Sequence, residues 1–169
     1  MRQVNFYMAM TVVVGSLAVA AAAREVPEPE CKAVQADLVE VRSTEGCKPE
    51  HSFCFLGEVD GNHGLRGTTY FKGDVSAFFP STAPTFRSYV GSFEYITPQG
   101  TLTMKEMGLT EPPAISPDSS GVVNAYQTVV SGTGDFAGAT GYLFVSGFNR
   151  NQTIVTTVKG EICKPAQVE

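Results

Sequence analysis

The acidic and phenolic residues set among apolar neighbours are the places in this chain where chemistry could occur. Leu102, Met104 and Glu106 recur at every second position. An extended strand puts these three on one face and Thr101, Thr103 and Lys105 on the other. The apolar face turns inward, so Glu106 is predicted to be an inward carboxylate. Desolvation in an apolar cavity raises a carboxyl pKa and fits the group for acid or base work. The structural alternative is a hydrated or ion-paired Glu106 at the rim of the fold. Arg87, Tyr89, Gly91, Phe93 and Tyr95 share one face of another strand. Tyr89 and Tyr95 are the expected hydrogen-bond donors to a substrate, and Arg87, Phe93 and Met104 are expected ligand contacts. Gly91 leaves room for a ligand or a bend. Plain core packing accounts for the same row. Between 122 and 130, Asn124, Tyr126 and Thr128 alternate with Ala125 and Gln127. Parity does not decide which set faces inward, and Tyr126 is taken there as a further ligand contact.

Other chemistries find less material. Two His and four Cys are few for a metal centre. Cys47 and Cys54 are too widely spaced for a zinc knuckle, and Cys163 has no neighbouring ligand residue, so no metal is expected. No serine sits in a Gly-x-Ser-x-Gly elbow, and His51 and His63 fall in predicted loops, so a Ser/His/Asp triad has no support. The run Gly132-Thr133-Gly134-Asp135-Phe136-Ala137-Gly138-Ala139-Thr140-Gly141 invites a phosphate-binding reading. A Walker loop ends in Gly-Lys-Ser/Thr, and a dinucleotide fingerprint opens a helix. Neither is present, because residues 142–148 read as a strand. The run is therefore a predicted tight bend, with Phe136 plugging an apolar end of the fold. A formal charge of −5 leaves no broad basic surface, so nucleic acid is not an expected partner.

Short strands must position these residues. The chain has 17 Gly and 10 Pro, is 43% hydrophobic and only 17% charged, which rules out a disordered chain. No amphipathic segment reaches three helical turns. Apolar, β-branched and aromatic runs separated by Gly, Pro, Asn and Asp predict strands over 33–41, 53–59, 65–78, 86–96, 101–109, 122–130, 141–148 and 153–162. In the third, Leu65, Gly67, Thr69, Phe71, Gly73 and Val75 form the inward set, leaving Tyr70 outside. Thr97-Pro98-Gln99-Gly100 and Asn149-Arg150-Asn151-Gln152 are predicted hairpin turns. Residues 111–121 form the longest loop, a candidate lid or crossover. Eight antiparallel strands in about 130 residues suit a closed barrel or a sandwich.

The N-terminus predicts export. Arg2 is followed by an uncharged apolar run from Met8 to Ala23 that ends in small residues, so residues 1–23 read as a signal peptide and 24–30 as a polar linker. An uncleaved anchor is the alternative, although a run of about 16 residues is short for a span of roughly 20. Cleavage removes one base and no acid. All four cysteines follow it, and an even count in an exported chain reads as two disulfides. Three connectivities are open. The favoured one is Cys47–Cys54 with Cys31–Cys163, the second clamping the seam where first and last strands of a barrel meet. Residues 31–165 then form one domain, extracellular or periplasmic, with no further membrane contact.

The pattern Gly132-Thr133-Gly134-x-Phe136-x-x-Ala139-x-Gly141 resembles the GTGxFxxAxG signature of dirigent proteins and allene oxide cyclase-like barrels. Gly67-Thr68-Thr69, Gly100-Thr101-Leu102-Thr103 and the ending Gly160-Glu161-Ile162-Cys163 are similar to a secreted subgroup of that family. The resemblance touches most of residues 31–163. Ser131 departs from it where dirigents usually carry glycine, and Asp135 stands where a basic residue is common. The resemblance implies an eight-stranded barrel with a mostly apolar cavity. It also implies a small hydrophobic ligand, a cofactor-free cyclisation or stereoselective coupling, and association into homo-oligomers. On this reading Glu106, Tyr89 and Tyr95 handle protons or hydrogen bonds while the cavity confines the substrate. A non-enzymatic carrier or interaction protein with a packed core is the alternative.

Overall fold

The computed structural model describes residues 28–78, 86–111 and 120–166. The expected signal peptide, residues 24–27 of the expected linker and residues 112–119 of the expected lid lie outside them. Eight strands follow one another: β1 (Glu30–Ser43), β2 (Phe53–Gly61), β3 (Arg66–Phe78), β4 (Arg87–Thr97), β5 (Gly100–Thr110), β6 (Ser120–Gly132), β7 (Thr140–Arg150) and β8 (Thr153–Lys164). Each pairs antiparallel with the next, and β8 returns to pair with β1, closing an up-and-down barrel. Closure settles the choice between barrel and sandwich and, among the described residues, leaves no unpaired strand edge.

Strand alternation decides what fills the barrel. In β1, Val34, Ala36, Leu38 and Glu40 are buried while their neighbours are exposed. The same parity turns Tyr89, Gly91, Phe93 and Tyr95 of β4 inward, and Leu102, Met104 and Glu106 of β5. Each large apolar side chain buried this way contributes roughly 1.5–3 kcal/mol. On β6 the inward set is Val123, Ala125 and Gln127. Tyr126 therefore points out of the barrel, where its ring stacks on Tyr142 at 6.2 Å and meets Phe144 at 5.2 Å. This corrects the expectation that Tyr126 contacts a ligand in the lumen. The buried amide of Gln127 has polar partners inside, so hydropathy alone could not sort the two faces.

The strand ends also differ from the sequence reading. β1 starts at Glu30 rather than Ala33, because Glu30 and Cys31 pair with Lys164 and Cys163 on β8. Pairing extends a strand past its apolar pattern. The disulfides are Cys31–Cys163, across the β1–β8 seam, and Cys47–Cys54, tying the β1–β2 connection to the start of β2.

One end of the barrel is sealed. After β6 the chain makes a short 3-10 turn, Gly134–Phe136, which drives the Phe136 ring into the core. The Thr133 N–H donates to the Thr101 carbonyl and the Asp135 N–H to the Gln99 carbonyl, both at 2.8 Å. Gly134 has φ +56°, and an added Cβ there would run into the Gln99 carbonyl. Glycine is required by both constraints. Phe136, Leu65, Tyr95, Leu102, Leu143 and Val158 are fully buried around this plug.

Candidate active site in the open end of the barrel

The opposite end holds a cavity of about 430 Å³. It lies between the last residues of β1, β3, β5 and β7 and the first residues of β2, β4, β6 and β8. Its walls are aromatic: Phe53, Phe55, Phe71, Tyr89 and Phe93 line it. Phe71 sits at the centre of this group, with ring centroids 5.8 Å from Phe53, 5.7 Å from Tyr89 and 6.0 Å from Phe93. Glycines set the rings against the wall. A Cβ on Gly108 would lie 2.5 Å from the Tyr89 hydroxyl, and one on Gly57 would lie 2.7 Å from Cγ of Glu40.

Two carboxyl groups enter this apolar space. Glu106 is 5% exposed and Glu40 is 6% exposed, and both line the cavity. Glu106 belongs to a hydrogen-bonded row. The Tyr95 hydroxyl donates to Oε1 of Gln127 at 2.7 Å, and Nε2 of Gln127 donates to Oε2 of Glu106 at 2.6 Å. Tyr89 also hydrogen-bonds Glu106. Tyr95 thereby fixes the Gln127 amide so that its N–H groups aim at the carboxylate. Burial pushes the Glu106 carboxyl up to about 7, against the lowering effect of Gln127 and Tyr89. The carboxyl of Glu40 is raised well above the usual range, first by burial and then by the nearby charge of Glu106. Burial likewise raises both tyrosine hydroxyls, so Tyr89 and Tyr95 act as donors and not as phenolates.

The predicted site residues divide into three groups. Glu106, Tyr89, Phe93 and Arg87 line the cavity. Tyr95 and Met104 are buried in the core cluster and do not line it. Tyr95 reaches Glu106 only through Gln127, so it is a positioning residue. Tyr126 is on the outer surface, as described above. Glu40 was missed. Its signal was available, because it continues the parity of Val34, Ala36 and Leu38. A charged residue near the end of a strand reads as solvated, and only closure of the barrel brings it beside Glu106. The inward face of β6 is not readable from parity, because the partners of Gln127 lie on β4 and β5.

A group of possible metal ligands, Cys31, Glu161 and Cys163, lies at the sealed end, but both sulfurs are in the disulfide. No family model and no curated protein matches the chain.

Proposed function

We propose that this chain is an exported barrel of the allene oxide cyclase/dirigent-like family. On this reading it binds a small hydrophobic molecule in the open-end cavity and steers its cyclisation or stereoselective coupling without a cofactor. The observation that carries the reading is the aromatic cavity of about 430 Å³ with Glu106 buried in its wall. That volume suits a small organic ligand, and the balance of apolar wall and few polar groups is what such ligand sites share. Two disulfides support an oxidising compartment. Confinement would hold a reactive substrate in one folded conformation. Glu106, titrating near neutral pH, is suited to take up or deliver a proton, with Tyr89 hydrogen-bonding the reacting oxygen. Gln127 and Tyr95 would orient the Glu106 carboxylate.

Native mass spectrometry of protein purified from its source tests this reading, together with thermal shifts against a library of small apolar compounds. A co-purifying mass, or a compound that raises the melting temperature, is the expected result. Unliganded protein and no shift with any compound would overturn it. Glu106→Gln then separates steering from carrying. Loss of product formation with ligand binding intact supports a steering role, whereas unchanged behaviour makes the protein a carrier.

A further inference from the structure

Glu40 and Glu106 are both buried against the cavity, and among the described residues its lining cations are Arg42 and Arg87, exposed residues near the strand ends. Glu106 has donors from Gln127 and Tyr89. Glu40 does not: among the described residues its Oε1 has no hydrogen-bond partner. The hydroxyl oxygens of Thr69 and Thr156, also buried, lack partners too. A buried carboxyl oxygen without a donor is costly, and a ligand that supplies one removes that cost. The walls around the two acids are aromatic rings, whose faces attract cations and do not attract anions.

We propose that the ligand of this cavity is an apolar amine, bound as its ammonium, with the charged nitrogen donating to Glu40 and its hydrocarbon body against Phe53, Phe71 and Phe93. The inference rests on the cavity being a small-molecule site and names the class of molecule. The ammonium supplies the missing donor to Oε1 of Glu40 and a positive charge between two carboxyls. The aromatic wall replaces part of its hydration. On binding, the carboxyls ionise and release protons to solvent, while the ligand keeps its own. Among the described residues, the titratable and charged groups facing this seat are Glu40 and Arg42 from β1, Tyr89 and Arg87 from β4 and Glu106 from β5. His51 pairs with Asp74, which accepts a hydrogen bond from the lining residue Ser52.

The test compares 4-phenylbutylamine with the uncharged 4-phenylbutan-1-ol by isothermal titration calorimetry on the full mature protein. At pH 8 the amine should bind at least roughly 10-fold more tightly than the alcohol. Its affinity should fall on going to pH 5.5, and its apparent enthalpy should depend on the ionisation heat of the buffer. The alcohol should show neither effect. Glu40→Gln should cut the amine's advantage over the alcohol by at least about 3-fold, since only Glu106 then offers a counter-charge. If that variant fails to fold, the pH and buffer dependence of the unaltered protein carries the test. Equal or tighter binding of the alcohol would overturn the amine assignment and leave the cavity reading standing. Failure of both probes to bind at millimolar concentration, with no other apolar compound bound, would overturn both.

Discussion

At the sealed end of the barrel, Phe136, Leu65 and Leu102 expose at most 1% of their surface and pack against one another. At the open end Glu40 and Glu106 are nearly as buried but face a cavity. The same eight strands and the same parity build both ends. The difference lies in where the inward side chains go. At the sealed end a chain segment folds back and drops a ring into the axis. At the open end the Phe71 ring lies where a side chain on Gly91 would be, and the Tyr89 ring where one on Gly108 would be. The rings rest against the wall and, among the described residues, leave the axis free. One end is therefore built for stability, and the other keeps carboxyl groups where apolar packing would not put them. Buried carboxyl groups persist only where the rest of the fold offsets their cost.

That division of labour can be broken from either end. The largest effect should come from the seam. Replacing both Cys31 and Cys163 with Ser opens a loop closed by a sequence separation of 132 residues. Denaturant unfolding should show a loss of about 4–5 kcal/mol, the entropy expected for so long a loop. If the sealed end is the stabilising one, ligand binding to the folded variant should be unchanged. Phe136→Ala comes next. It removes the plug and should cost about 3–5 kcal/mol in the same measurement, again without changing the cavity. A loss below about 1 kcal/mol would show that the plug is not a core element.

The open end should respond to pH instead. Glu106 titrates at about 7 in the folded chain and near 4.5 when unfolded. Between these values the folded chain holds a proton that the unfolded chain has lost. Stability therefore falls as pH rises from about 4.5 to 7, by about 3 kcal/mol, and levels off above that window. Glu40, raised for the same reason, adds to the same slope. The double variant Glu40→Gln/Glu106→Gln should flatten the profile and be more stable than the parent at pH 8. A profile unchanged by these substitutions would mean that the acids do not carry the cost assigned to them. The smallest expected effect is that of Tyr95→Phe, which leaves Oε1 of Gln127 without its donor. It should cost about 1–3 kcal/mol. It should also move the pH midpoint of the Glu106 transition, which a purely structural role for Tyr95 would not do.

The sequence made the barrel legible because a strand repeats every two residues and a barrel has one inside. In β3, β4 and β5 every second residue is apolar, small or singly polar, so the inward faces were readable from parity. The cysteines were readable because the first and last strands of a closed barrel must meet. The bend at Gly132-Thr133-Gly134 was readable through its glycines, and Gly141 after Ala139 continues it into β7. Tyr126 and Gln127 were not, because both faces of β6 carry polar groups and the deciding partners lie on β4 and β5.

The sequence by itself determined the eight strands, the inward parity of most of them and the place of Glu106 on the apolar face of its strand. These follow from local spacing. Only the tertiary structure decided that Glu40 joins Glu106, that Gln127 and Tyr95 orient it, and that the lumen is filled at one end and hollow at the other. Those outcomes depend on contacts between residues distant along the chain, and on ring packing over glycines, which no local pattern encodes.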